Sequence, residues 1–225
     1  MFLTNFFLSF PIFRAVKILA SGNWPLTTLV FTQDMLSESI KKININLKWL
    51  NFINKMLKKK QNPLTIYTII AEQSRKPYFF SKLKISNNFD GRLEILSLNL
   101  ILILWSLKKN NEVNLSQELM DIFFQDLDNS LRELGVSDLS VGKKIKILAE
   151  NFFGRLNSYT LGFEKYLTKG EFSKIKSSIK KNIRDLSDEK ILNEFLKKYI
   201  LTNIKYFGNL KKHQVQNADF QFKYI

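Results

Sequence analysis

DIFFQDLDNSLRELGVSDLSVGKKIKILAENFFGRLNSY, residues Asp121 to Tyr159, decides the fold. Just ahead of it and through its first half, Leu119, Ile122, Phe123, Leu127, Leu131 and Leu134 recur at steps of three and four, the helical period. Gly135 follows at once, where a helix end favours a residue that accepts positive φ. Ser137 and Asp138 offer side-chain oxygens to the free N–H groups of the next helix. Val141, Ile145, Leu148, Phe152, Tyr159, Phe163 and Tyr166 then carry a second, longer periodic run. Two helices joined by so short a link must fold back on each other. The spacing therefore predicts an αα-hairpin, about 115–134 and 138–168, with the other elements packed around it.

Outward from the hairpin, helices dominate. Leu93 to Leu107 is apolar almost all round, interrupted by Glu94 and Asn99, and reads as a central buried helix. Its length, about 22 Å at the helical rise, is short for a membrane span. Asn114 is placed to cap the first hairpin helix. Upstream, Leu64 to Ser74 shows an apolar face of Ile66, Tyr67, Ile70 and Ala71, and Lys76-Pro77 stops it. Tyr78-Phe79-Phe80 is an aromatic cluster in a loop or short turn, able to offer apolar surface to a partner. Beyond the hairpin, Gly170 marks a break, and Phe172, Ile175, Ile179 and Ile183 form a short amphipathic helix. Ser187 is an N-cap candidate for a last helix through Ile191, Leu192, Phe195, Tyr199 and Ile204 to Gly208. Residues 209–225 read as a loose polar-aromatic tail. The organisation expected is all-α: an N-terminal extension (1–63), a helical bundle (64–208) and the tail (209–225).

The extension has its own character. Ile40, Ile43, Leu47, Leu50, Ile53 and Leu57 form one stripe with lysines largely off it, a basic amphipathic helix over 36–60 suited to a membrane surface, to RNA or to packing. Met1 to Phe13 is apolar but too short to span a bilayer. Its charges, Arg14 and Lys17, follow the apolar run, the wrong order for a secretory signal. An organellar presequence, or a start at Met35 or Met56, is compatible with it.

Composition sets the remaining bounds. Forty-five per cent hydrophobic residues with 20 Phe supply a core, while 8 Gly and 4 Pro are too few for a turn-rich β protein. No Cys is present, so disulfides and thiolate metal sites are excluded, and the one His, His213, stands among lysines. The net charge of +15 is uneven: 13 Lys/Arg against 3 Asp/Glu over 1–89, 8 against 10 over 90–160, and 14 against 7 over 161–225. The hairpin region is thus near neutral and its flanks are basic, open to RNA phosphates or anionic lipid. A chain rich in Lys, Asn, Ile and Phe also fits an AT-rich genome.

Chemistry is sparse. Asp121, Asp126 and Asp128 lack His or Cys neighbours, and Arg132 stands four residues after Asp128, the spacing of a helix ion pair. No phosphate-binding glycine loop and no nucleophile–His–acid set can be assembled, so no enzyme activity, cofactor or metal is expected. The arginines are more telling. Only 6 of the 35 basic residues are Arg, yet Arg92, Arg132 and Arg155 fall in the near-neutral middle. A planar fork grips a carboxylate bidentately, and Asp90, Asp126, Asp128 and Asp138 are the candidate partners. These pairs either tie helices together or form a polar surface for a partner protein.

Phe89-Asp90-Gly91-Arg92, the run Asp126-Leu127-Asp128-Asn129-Ser130-Leu131-Arg132-Glu133-Leu134-Gly135-Val136-Ser137-Asp138-Leu139, then Val141-Gly142-Lys143-Lys144-Ile145-Lys146, and Phe152-Phe153-Gly154-Arg155 with Tyr159 resemble the ubiquinol–cytochrome c chaperones, the Cbp3-type assembly factors of complex III. The likeness covers about residues 64–185 and departs at Leu98-Asn99, where the family carries Leu-His. It implies an all-α, non-enzymatic chaperone that binds newly made cytochrome b, in mitochondria near the ribosomal exit and with a small partner subunit. It also implies a client- or partner-facing surface drawn from Asp90, Arg92, Asp126, Asp128, Arg132, Asp138, Lys143, Lys144, Gly154, Arg155 and Tyr159. The compartment expected is the bacterial cytoplasm, peripherally at the inner membrane, with the mitochondrial matrix as the alternative. A basic RNA- or ribosome-binding protein, or a peripheral membrane scaffold, are the competing readings.

Overall fold

The structure, a computed structural model, describes residues 63–223; residues 1–62, with the amphipathic stretch at 36–60, and residues 224–225 lie outside the described residues. In chain order the helices are α1 (Pro63–Ser74), α2 (Pro77–Ser81), α3 (Phe89–Lys109), α4 (Val113–Glu133), α5 (Asp138–Lys169), α6 (Ser173–Asn182) and α7 (Glu189–Phe195). A π turn (Leu196–Ile200) joins α7 to α8 (Leu201–Gly208), and α9 (Lys212–Gln216) follows. No strand occurs among the described residues, in agreement with the all-α bundle that the periodicity predicts.

α3 is the axis of the bundle. Asn88 caps it by accepting the Gly91 N–H at 2.9 Å, and Asp90 in its first turn and Lys108 and Lys109 in its last suit the helix dipole. Gly91 is required there: a Cβ on it would lie 2.0 Å from the Ser86 carbonyl oxygen. From Leu93 onward the helix is buried on nearly every side, as its all-round apolarity demands, and α1, α4, α5, α8 and α9 all touch it. The polar Asn99 inside that apolar run is fully buried and fully used. Its Nδ2 donates to Ser74 Oγ at 2.9 Å, and its Oδ1 accepts the Tyr199 hydroxyl at 2.7 Å. Gln73 Nε2 in turn donates to that hydroxyl at 3.2 Å.

The hairpin forms as expected, with different caps. Leu119, Phe123, Leu127 and Leu131 are buried. Gly135 takes φ +81°, its N–H donating to Arg132 O at 2.9 Å while Val136 N–H donates to Leu131 O at 3.0 Å, a Schellman closure. Asn114 does not cap α4. Asn111 turns the chain with φ +57°, and the helix restarts two residues before Leu115, after buried Glu112, which pairs with Lys212. Ser137 precedes α5 but its hydroxyl bonds Ser140 Oγ instead of the backbone, and Asp138 turns to Arg132. α5 then runs 32 residues to Gly170, which sits left-handed at φ +73°.

Three further readings change. Phe79 is not surface: α2 forms on Pro77, and the Phe79 ring is 0% exposed, edge-on to Tyr199 at 5.4 Å. Asp188, not Ser187, caps α7, accepting from the Lys190 and Ile191 N–H groups at 2.8 and 3.1 Å. The segment after Gly208 packs where a loose tail is expected. Leu210, Val215 and Phe220 are buried, and the Asn203 amide holds the Lys223 backbone by donating to its carbonyl at 2.9 Å and accepting its N–H at 2.8 Å.

Candidate functional site

α3 and α5 cross so that Glu94 and Arg155 face each other. Arg155 Nε donates to Glu94 Oε2 at 2.9 Å and a second guanidinium nitrogen bonds Oε1, a two-point fork whose side chains are only 18% and 14% exposed. Burial pushes the Glu94 carboxyl above the usual range, against the opposing pull of Arg155. The four aspartates are the expected partners of the arginines, and none of them serves Arg155. The signal for Glu94 was its place as a lone acid in the apolar run, one helical turn after Asp90. Asp90, Glu94, Gly154 and Arg155 line one groove of about 690 Å³, together with Lys181 and Arg184. Tyr159, one turn beyond Arg155, does not reach the surface. It is 1% exposed, stacked on Phe163 at 6.2 Å, and its phenol is driven up by burial.

Arg92 and Asp126 belong to a second groove of about 860 Å³, walled by Phe80, Phe89, Leu96 and Leu134. Arg92 Nε donates to Asn87 Oδ1 at 2.8 Å, and Asp126 Oδ2 accepts the Tyr67 hydroxyl at 2.7 Å. Burial, with the Asp126 carboxylate beside it, raises the Tyr67 phenol well above its ordinary value. The groove thus mixes apolar side chains with polar and charged ones, and of the charged ones Arg92 and Asp126 are anchored by neutral partners.

Arg132 does meet two of its expected carboxylates. Its Nε reaches Asp128 Oδ2 at 2.6 Å and its Nη1 reaches Asp138, clipping the end of α4 to the start of α5. These side chains are largely exposed, so the clip orients the turn more than it stabilises it. Lys143 and Lys144 stand exposed on α5 apart from all of these. The eleven residues therefore divide among a polar groove, an apolar groove, a hairpin clip and an exposed lysine pair, with Tyr159 in the core. Among the described residues no group of His, Asp and Glu is arranged to hold a metal ion.

The chain is similar to a solved structure, the Cbp3 homolog from Brucella abortus, at 28% sequence identity and a TM-score of 0.66, covering 78% of this chain and 96% of that one. Among curated proteins none matches. The family profile described as Ubiquinol-cytochrome C chaperone matches residues 81–222. That span takes in α3, the hairpin with its clip, the Glu94–Arg155 fork and the π turn, and the chain belongs to the ubiquinol-cytochrome C chaperone family.

Proposed function

We propose that the chain is a non-enzymatic assembly chaperone of the ubiquinol–cytochrome c reductase complex, and that its client is newly synthesised cytochrome b. Family membership over most of the described residues is the observation that carries this reading. The groove of Phe80, Phe89, Leu96 and Leu134 supports it physically. A client destined for a bilayer brings apolar helices that need cover, and apolar side chains beside Arg92 and Asp126 supply cover with polar groups for orientation. In this reading the protein works peripherally at the inner membrane from the bacterial cytoplasm, with the mitochondrial matrix as the alternative, and the ribosomal exit and a small partner subunit are further candidate contacts. No helix among the described residues is long and apolar enough to cross a membrane.

The test is capture from the native host. The full chain is expected to recover cytochrome b, and Leu134→Asp, at an exposed position, with Arg92→Glu to lose it while circular dichroism and the unfolding midpoint stay near wild type. Recovery of ribosomal proteins alone, in a salt-sensitive manner, would replace this reading with the RNA-binding one.

A further inference from the structure

The α4–α5 turn carries two exposed leucines, Leu134, which lines the apolar groove, and Leu139, which lines neither groove. Leu139 is 99% exposed and Leu134 62% exposed. Scattered exposed leucines are ordinary, but these two lie within one tight turn and are followed by Lys143, Lys144 and Lys146, all exposed and none in an ion pair among the described residues. Of the acids nearest the turn, Asp138 is held by Arg132, which also holds Asp128, while Glu133 stands exposed. Counting Asp128 to Ile147, so that Arg132 is counted with both of its partners, 4 Lys/Arg stand against 3 Asp/Glu, and the free positive charge is that of Lys143, Lys144 and Lys146.

Helical phase adds direction. At about 100° per residue, Leu139, Lys143, Lys146 and Ile147 fall within an arc of roughly 100° on α5. Ile147 is itself half exposed. The arc therefore runs from a bare leucine at the tip through two ammonium groups to an isoleucine. A leucine that touches nothing at the end of a hairpin fits a protein partner only if that partner brings its own pocket, and RNA phosphates have no use for it. A bilayer accepts it without a pocket, and lysine stems reach from acyl chains to phosphates.

We infer that the α4–α5 tip docks on an anionic bilayer, with Leu139 in the acyl boundary and Lys143 and Lys146 at the phosphate level. This rests on the peripheral membrane placement proposed above and deepens it by naming the part of the folded body that touches lipid. With one leucine buried and two lysines drawn to an anionic surface, the contact is reversible and salt-dependent.

The chain has no Cys, which makes a site-specific probe simple. Leu139→Cys in the full chain, labelled with an environment-sensitive dye, is mixed with vesicles of phosphatidylglycerol in phosphatidylcholine. The expected result is a blue shift with severalfold brightening, quenching by spin-labelled acyl chains, and little response to phosphatidylcholine alone. The same dye at Lys190→Cys, an exposed position on α7, stays aqueous. Lys143→Glu with Lys146→Glu lowers partitioning at least about tenfold, while circular dichroism and the unfolding midpoint are retained. A dye at position 139 that remains in water while the protein floats with the vesicles overturns the inference. So does absence of flotation, or an equal response to neutral vesicles. Loss of cytochrome b capture by the wild-type chain would count against the client reading and leave this result standing.

Discussion

Arg155 and Glu94, separated by 61 positions in the chain, meet fork to carboxylate across the α3–α5 crossing. Arg155→Ala leaves a poorly solvated carboxylate behind and is expected to cost about 1–3 kcal/mol in urea unfolding at neutral pH. Arg155→Lys keeps the charge, loses the second contact, and recovers only part of the loss. The sign with pH is fixed by the raised Glu94 carboxyl. Stability from this group is fully present below the ordinary Glu range and is lost as pH rises through the folded value. Without Arg155 that loss deepens, so the Arg155→Ala deficit should be small near pH 4 and grow toward pH 7; a deficit equal at both pH values would mean the carboxylate is not its source.

Glu189 gives the opposite slope. Lys176 and Lys180 hydrogen-bond its carboxylate and hold it down at about 2. A depressed carboxyl contributes stability above its unfolded value and loses it as pH falls through the folded one. The urea midpoint of wild type should therefore exceed that of Glu189→Gln at pH 7, with the gap closing between about pH 4.5 and 2. High salt should also shrink it, since the group is exposed.

Two glycines from the family-like motifs should respond in opposite directions. Gly91→Ala drives a Cβ into the Ser86 carbonyl oxygen and is expected to destabilise by about 1–3 kcal/mol or more. Gly154 lies inside α5 with open space where its Cβ would be, so Gly154→Ala should stabilise by about 0.5–1 kcal/mol through helix propensity alone. Thermal melts of both variants decide this, and a Gly154→Ala variant that melts lower would show that something already fills that space.

Tyr199→Phe removes the hydroxyl shared by Asn99 and Gln73 and leaves two buried amide groups short of a partner. The expected cost is about 1–3 kcal/mol. Because the ring and its contacts with Phe79 and Phe195 remain, near-ultraviolet circular dichroism should hold its wild-type shape while the denaturation midpoint drops.

What sequence makes legible here is governed by range. Helical period, Gly135, Gly170 and the all-round apolarity of α3 are local signals, and they locate α3, α4 and α5 because each element answers to its own residues. The Arg132 clip is nearly local too, reaching four residues back and six forward; Asp128 follows from spacing, and Asp138 stands among the four candidate carboxylates. Glu94 as the mate of Arg155, Asn87 as that of Arg92, and the burial of Tyr159 depend on how helices cross, which no period encodes. The caps fail for a related reason. Asn114, Ser137 and Ser187 are all chemically able to cap, but α4 and α7 begin from Glu112 and Asp188 instead, and Ser137, though at the N-cap position, gives its hydroxyl to Ser140. Phe79 and the residues after Gly208 are drawn into the bundle by surface that other helices leave uncovered.

The π turn at Leu196–Ile200 amounts to a spare residue lodged inside an otherwise continuous rod. Deleting one position there would restore regular i→i−4 bonding and look harmless locally. It would also advance everything from Leu201 onward by about 100° relative to α7. Phe207 would swing off the carbonyl-to-Ser106 contact at 2.8 Å, and the Gly208 carbonyl would be carried away from the Lys109 ammonium that donates to it at 2.9 Å. Length in this segment is thus under tighter control than side-chain identity: substitutions can be absorbed one by one, whereas a single-codon indel would throw the last helix out of phase with the rest.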